Sequence, residues 1–280
     1  MSDNARERTF SFEFFPPATA EGAARLRATR EQLAQLGPKF FSVTYGAGGS
    51  TRDRTLAAVL EILAAGQRAA PHISCVGSTR EAMAATLATY QDHGIRHLIA
   101  LRGDLPSGAA GAGDFRYASE LVEFIRSATG DWFHIDVAAY PEYHPQAKSP
   151  AEDLQNFKRK IDAGANSAIT QYFFNADSYY NFVDDAVALG IHVPIVPGIM
   201  PIGSFSKLAR FSDACGAEIP RWIRRKLESF GDDAASIRAF GLDVVTALCD
   251  ELLQHDAPGL HFYTLNQADL TSVIWQRLGL

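Results

Sequence analysis

The residues of this 280-residue chain that could do chemistry sit in short aromatic or glycine-bearing peptides. Glu13 lies within Phe10-Ser11-Phe12-Glu13-Phe14-Phe15. Side chains alternate along a strand, so Phe10, Phe12 and Phe14 share one face and Ser11, Glu13 and Phe15 the other. A carboxylate ringed by aromatics on an inner face is desolvated, and the expectation is a raised pKa suited to a general acid. A structural Glu paired to an arginine is the plainer alternative. Arg102-Gly103-Asp104-Leu105-Pro106 places two charges around a glycine that would let backbone approach a ligand, although Gly-Asp and Pro also make ordinary turns. Gln171, in Thr170-Gln171-Tyr172-Phe173-Phe174, sets an uncharged amide among aromatics, where it can bond a heteroaromatic edge or barrel backbone. Tyr263 and Gln267 end His261-Phe262-Tyr263-Thr264-Leu265-Asn266-Gln267 in the same manner. Tyr140-Pro141-Glu142-Tyr143-His144-Pro145 precedes a stretch in which Asp153, Asn156, Arg159 and Lys160 share roughly one helix side. That side is either a solvated polar face or a seat for ribose and pyrophosphate.

Other chemistries are disfavoured. The six lysines (Lys39, Lys148, Lys158, Lys160, Lys207 and Lys226) all fall outside the predicted strands, which argues against a Schiff-base aldolase. No strand carries His-x-His and the histidines are scattered, so a metal-dependent hydrolase is not indicated and no metal is expected. Tyr45-Gly46-Ala47-Gly48-Gly49-Ser50 departs from a nucleotide-binding phosphate loop. Cys75, Cys215 and Cys249 are odd in number and lack a C-x-x-C pair, as buried thiols in a reducing compartment would be. A net charge of −6 argues against non-specific nucleic-acid binding. The first residues lack the apolar core of a signal peptide, and no apolar run is long enough to span a bilayer. A cytoplasmic protein acting on small molecules is expected, without nucleic-acid or membrane partners. Cofactor-borne redox chemistry stays prominent.

These peptides need elements to hold them together. Eight β-rich runs are predicted as strands: Thr9–Phe14, Phe40–Tyr45, His72–Val76, His97–Leu101, Phe133–Ala139, Ser167–Phe173, Pro194–Ile199 and Leu260–Leu265. Helical spacing lies between them, as in Leu56, Val59, Leu60 and Leu63, or in Tyr179, Phe182, Val183, Ala186 and Val187. Capping boxes are read at Ser50–Asp53, Ser78–Glu81 and Ser149–Glu152, the last with Pro150 at the first helical position. Gly37, Gly94, Gly164 and Gly190 sit where helices should stop. Strict alternation implies a parallel sheet, and eight units favour an α/β fold of the (β/α)8 TIM-barrel type. An open dinucleotide-binding sheet is the runner-up, but the first strand leads into Phe15-Pro16-Pro17 rather than a glycine-rich turn. The run from Ile202 to His255 predicts extra helices before the last strand. Residues 1–280 read as a single catalytic domain, and barrel mouths formed by strand C-termini are where sites arise.

Read together, Phe12-Glu13-Phe14-Phe15-Pro16-Pro17, Val43-Thr44-Tyr45-Gly46-Ala47, Leu101-Arg102-Gly103-Asp104 and Phe262-Tyr263-Thr264-Leu265-Asn266 resemble methylenetetrahydrofolate reductases of the bacterial type, over nearly the whole chain. The resemblance implies a barrel that binds FAD, takes electrons from NADH or NADPH, and reduces 5,10-methylenetetrahydrofolate to 5-methyltetrahydrofolate by ping-pong kinetics, in the one-carbon metabolism that feeds methionine synthesis. It implies Glu13 as the acid that opens the folate ring and Asp104 as the carboxylate near flavin and pterin. Thr44, Tyr45, Ala47, His72, Arg102, Gly103, Asp104, Tyr117, Ala118, Tyr140, His144, Ala147, Asp153, Asn156, Arg159 and Lys160 resemble the FAD shell. Gln171, Phe205 and Tyr263 resemble substrate contacts. Many members carry arginine where this chain has Gln267, and a neutral amide cannot ion-pair with an acidic folate tail. A homo-oligomer lacking the C-terminal regulatory region of the eukaryotic enzymes is the remaining expectation.

Overall fold

In a computed structural model, which describes residues 8–46, 51–103 and 113–280, the β-rich runs form one parallel sheet in the order β7-β6-β5-β4-β3-β2-β1-β9-β8. Its strands are β1 (Thr9–Phe14), β2 (Phe40–Val43), β3 (Ala69–Ser74), β4 (His97–Leu101), β5 (His134–Ala139), β6 (Ser167–Thr170), β7 (Ile195–Val196), β8 (Gly198–Ile199) and β9 (Gly259–Tyr263). The helices are α1 (Ala20–Ala34), α2 (Arg52–Ala64), α3 (Arg80–Asp92), α4 (Ala118–Thr129), α5 (Pro150–Asp162), α6 (Ala176–Ala188), α7 (Phe205–Cys215), α8 (Arg221–Ser229), α9 (Ala234–Gln254) and α10 (Asp269–Arg277).

The predicted strand Pro194–Ile199 is two segments, because Pro197 has no N–H to contribute to a ladder. One half pairs with β6 and the other with β9, so this broken strand closes the barrel. The Pro197 carbonyl still accepts from His261 N at 3.0 Å. Other boundaries move as well: β3 ends at Ser74, β5 starts at His134, and the last strand runs Gly259–Tyr263, each one or two residues from the prediction. β3 starts three residues earlier than predicted, at Ala69-Ala70-Pro71, small residues and a proline that lack a β-former signature. β2 and β6 stop at Val43 and Thr170, leaving Thr44, Tyr45 and Gln171 to the loops where a ligand would be met. Helices α7, α8 and α9 fill the run before the last strand, as predicted.

Ser149 caps α5 as expected, accepting from Glu152 N at 3.2 Å with Pro150 next to it. The α3 cap is Thr79 rather than Ser78, and α2 starts after Thr51 without a side-chain cap bond; Ser50 lies outside the described residues. Gly37, Gly94, Gly164 and Gly190 all take positive φ and end their helices. Helix α2 buries Thr55, Ala58, Val59 and Ile62, a face rotated from the leucine stripe read in the sequence.

Phenylalanines drive closure on the outside of the sheet. Phe12 packs 5.9 Å from Phe41, 5.8 Å from Phe262 and 5.8 Å from Trp275 of α10. Burying each such ring contributes roughly 1.5–3 kcal/mol. The alternate residues face the lumen, where Phe40, Ala70, Ile99, Ile169 and Val196 form a separate apolar cluster. This layer divides the barrel's two polar mouths. Glu13, His72 and His261 lie toward the C-terminal ends of the strands, and His97, His134 and Asp136 toward the N-terminal ends. No helix among the described residues is long and apolar enough to cross a membrane.

Candidate active site

Strand register sets the centre of the upper mouth. Pairing of β1 with β9 aligns Ser11 with His261 and Glu13 with Tyr263, while β1 with β2 aligns Glu13 with Ser42. Three side chains meet Glu13 Oε2: His72 Nε2 at 3.1 Å, His261 Nε2 at 3.4 Å and the Ser42 hydroxyl at 3.5 Å. The His72 nitrogen is close but poorly aligned for a hydrogen bond, whereas Ser11 Oγ holds His261 Nδ1 at 2.7 Å. Thr264 Oγ1 donates to the Glu13 carbonyl at 2.6 Å, fixing the backbone beneath the carboxylate.

Glu13 does not carry the raised pKa expected from its aromatic neighbours. Burial does push the carboxyl up, but the His72 charge beside it, with the hydrogen bond and charge of His261, outweighs it and holds it at about 2. The aromatics of β1 point outward, and the imidazoles that decide the matter arrive from β3 and β9. At neutral pH the resting group is therefore a carboxylate. Because its folded pKa lies below the unfolded value of 4.5, ionised Glu13 stabilises the fold above about 4.5, and that stabilisation is lost as pH falls toward about 2. The wild-type chain is expected to lose stability steeply in that window, with Glu13→Gln flattening the dependence by on the order of 3 kcal/mol. Urea melts across that pH range check this; parallel curves for the two proteins would contradict it.

A cavity of about 480 Å³ opens above this cluster, lined by Glu13, His72, Tyr140, His144, Gln171 and Tyr263 among others. Tyr263 donates to the Thr170 carbonyl at 2.7 Å, and burial beside Glu13 raises its pKa well above normal, so it remains a neutral phenol. Gln171 Oε1 accepts from Tyr172 N at 3.0 Å, which turns its amide along the cavity wall. Leu265 and Asn266 take positive φ, strained for residues with a Cβ. Asn266 uses the bend to clamp Phe15, accepting from its N at 2.8 Å and donating to its carbonyl at 3.0 Å. That clamp locks the β9 loop to the β1 loop at the rim.

The predicted flavin shell gathers around the ends of β2 to β5. Thr44 N donates to the Phe14 carbonyl at 2.9 Å, and Tyr45 follows it. Gly103, at φ 82°, leaves no room for a side chain, since a Cβ there would stand 1.9 Å from Ser74 Oγ. Arg102 reaches across to Gln146. Tyr117 stands exposed as the N-cap of α4, with Ala118 next to it. The Tyr140 and His144 rings meet at 4.6 Å, and Ala147 N donates to the His144 carbonyl at 2.8 Å. Asp153 accepts from His144 N at 2.9 Å, binding that loop to α5. Arg159 donates to Asn156 at 2.6 Å. Lys160 is turned inward onto the Ala138 carbonyl, and burial lowers its ammonium to about 8. Ala47 and Asp104 lie outside the described residues.

Two predicted substrate residues stand apart from the Glu13 cavity. Phe205 is half-buried beneath the Arg224 guanidinium, 5.9 Å from the ring centroid. Gln267 lines a smaller adjoining cavity of about 70 Å³ that it shares with Lys207 and Tyr263. His261, Ser11 and Ser42 were not singled out from sequence. The signal for His261 was there, two residues before Tyr263 on the same strand face.

The model of the methylenetetrahydrofolate reductase family matches residues 1–279. The chain belongs to that family. It is an oxidoreductase, 43% identical over 270 residues to the 5,10-methylenetetrahydrofolate reductase of Escherichia coli, covering 96% of this chain and 90% of that protein. It is 38% identical to methylenetetrahydrofolate reductase (NADH) 1 of Arabidopsis thaliana, over 98% of this chain and 49% of the plant protein. Among solved structures, a Clostridium thermocellum protein that binds two copies of 5-methyl-5,6,7,8-tetrahydrofolic acid superposes with a TM-score of 0.70, covering 98% of this chain and 95% of that one. At 14% identity this likeness shows the barrel fold alone.

Proposed function

We propose that this reductase uses FAD and NADH or NADPH to convert 5,10-methylenetetrahydrofolate to 5-methyltetrahydrofolate at the upper mouth. The observation that carries the reading is a buried carboxylate faced by two imidazoles beneath an aromatic-walled cavity, in a chain of this family. The residues around β2 to β5 suit FAD. Gly103, where a Cβ would strike Ser74 Oγ, lets the end of β4 pack tightly on β3 beside the cavity rim. His72 Nε2 is buried without a well-aligned partner and faces the same cavity. Arg102, Arg159 and Lys160 offer positive charge to a diphosphate, the guanidinium groups by paired N–H donors.

When bound, the flavin supplies the two-electron store that lets nicotinamide and folate react in separate, ping-pong half-reactions. The chain's own residues handle the proton and the binding. A folate ring seated between Gln171 and Tyr263 excludes water from Glu13, which raises the carboxyl and readies it to deliver a proton from Oε2 toward the folate N10. The proton reaches Glu13 from the solvent-open cavity as substrate enters, and His261, its Nδ1 held by the Ser11 hydroxyl at 2.7 Å, keeps Oε2 in place through Nε2 at 3.4 Å. Lys207, beside Gln267, supplies positive charge near an acidic folate tail.

Asp104 takes its role from the family resemblance, stabilising cationic charge that develops on the folate. Asp104→Asn is expected to raise the flavin reduction potential, read by anaerobic redox titration. An unchanged potential would remove that electrostatic role. The reading as a whole is tested by assaying 5-methyltetrahydrofolate formation from NADH and from NADPH with and without added FAD. Turnover that neither nicotinamide supports after FAD reconstitution would overturn it.

A further inference from the structure

The lower mouth of the barrel holds a second polar cluster that the reductase chemistry above does not use. His97 opens β4 and pairs in register with His134, the first residue of β5; Asp136, two residues on, points to the same side. His97 Nε2 lies 2.7 Å from Asp136 Oδ2, and His134 Nε2 lies 3.3 Å from Asp136 Oδ1. One ligand-capable atom from each of the three falls within 4.8 Å of the other two. Asp136 is buried, and the His134 side chain is 49% exposed to a cavity of about 710 Å³. Ser167 donates to Asp136 and sits 2.8 Å from His134 Nε2. Phe40 packs 4.3 Å from the His97 ring and belongs to the apolar layer that separates this cluster from Glu13.

Two imidazoles and one carboxylate on neighbouring strands, open on one side, match the donor set of a four-coordinate zinc site with an exchangeable position. Imidazole donors favour Zn²⁺, Co²⁺ or Ni²⁺ over Mg²⁺ and Ca²⁺, which prefer oxygen. The Ser167 hydroxyl is the outer partner that would orient the carboxylate. Ligands at the usual zinc distances of about 2.0–2.1 Å stand roughly 3.3 Å apart, so the His97 ring would retreat by about half an ångström on binding. Lys39, Arg68 and Arg96 line the same cavity, so the exchangeable ligand would be an anion that offsets their repulsion of a cation.

We propose that His97, His134 and Asp136 form a divalent transition-metal site of the Zn²⁺ class at the N-terminal mouth, clamping β4 to β5. The full chain, untagged and stripped with chelator, is titrated with Co²⁺ alone. One equivalent should bind with visible d–d absorption and no thiolate charge-transfer band, since the ligands are nitrogen and oxygen. His97→Gln and His134→Gln should each weaken that binding at least about tenfold. Zn²⁺ should raise the Tm of the parent chain, and by less in the variants. Nicotinamide–folate turnover in His134→Gln should match the parent, because the residue lies on the far side of the apolar layer. Absence of saturable Co²⁺ binding, or undiminished affinity in His134→Gln, overturns the proposal. Should His97→Gln fail to fold, the half-exposed His134 still carries the test.

Discussion

Glu13→Gln is expected to retain flavin and its reduction by nicotinamide while folate reduction falls roughly 10²- to 10⁴-fold, the range a positioned general acid contributes. The amide keeps the size of the carboxyl and can still meet His261 and Ser42, so the barrel should fold. It cannot hold a transferable proton at Oε2. The loss should therefore fall on one half-reaction alone, which stopped-flow measurement of each half separates. A parallel fall in both would mean that Glu13 shapes the flavin seat rather than the folate chemistry. Unchanged folate turnover would remove the residue from the acid role. The pH dependence sharpens the point, because a carboxyl held at about 2 in the resting site donates only after bound substrate has excluded water and displaced that balance. The acid limb of folate turnover should then differ from the resting titration of Glu13.

The second large effect is on the barrel itself. Gly259 begins β9 at φ 145°, and a Cβ there would stand 1.8 Å from Thr9 O, 2.4 Å from Thr9 C and 2.6 Å from Thr9 N. All three are backbone atoms of β1, so no side chain can swing aside. Thr9 and Gly259 are the first register pair of β1 with β9, the ladder that aligns Ser11 with His261 and Glu13 with Tyr263. Gly259→Ala should cost more than about 4 kcal/mol, a large part of a total stability of roughly 5–15 kcal/mol. The expected result is insoluble protein, or a Tm lowered by at least about 8 °C, with flavin content reduced in parallel. A Tm within about 2 °C of the parent would mean that the two strands part easily and do not fix the site's geometry.

The chain's own pattern carried the barrel, because period-two apolar runs and capped helices are local signals. Thr9–Phe14 and His97–Leu101 were legible to the residue. Legibility failed where a strand depends on neighbours rather than on its own composition. Ala69-Ala70-Pro71 is a strand only because β2 pairs with it, and Pro197 splits β7 from β8 because each half answers to a different neighbour. The same division runs through the site. Glu13 stood out as a carboxylate on an aromatic strand, yet its titration is set by His261 on the neighbouring strand β9 and His72 two strands away on β3, both far away in sequence. Likewise, histidines that looked scattered become neighbours once β4 and β5 pair. Chemistry that resides in one strand can be read from one strand, whereas chemistry made by register needs the sheet.

The most direct test of the central claim is an anaerobic absorbance experiment on the FAD-loaded chain. NADH is added first, then 5,10-methylenetetrahydrofolate. The flavin band should bleach with the nicotinamide and return with the folate, which would demonstrate both half-reactions at one site. A protein that takes up no flavin even on reconstitution, or a bleached band that the folate leaves unchanged, would contradict the account.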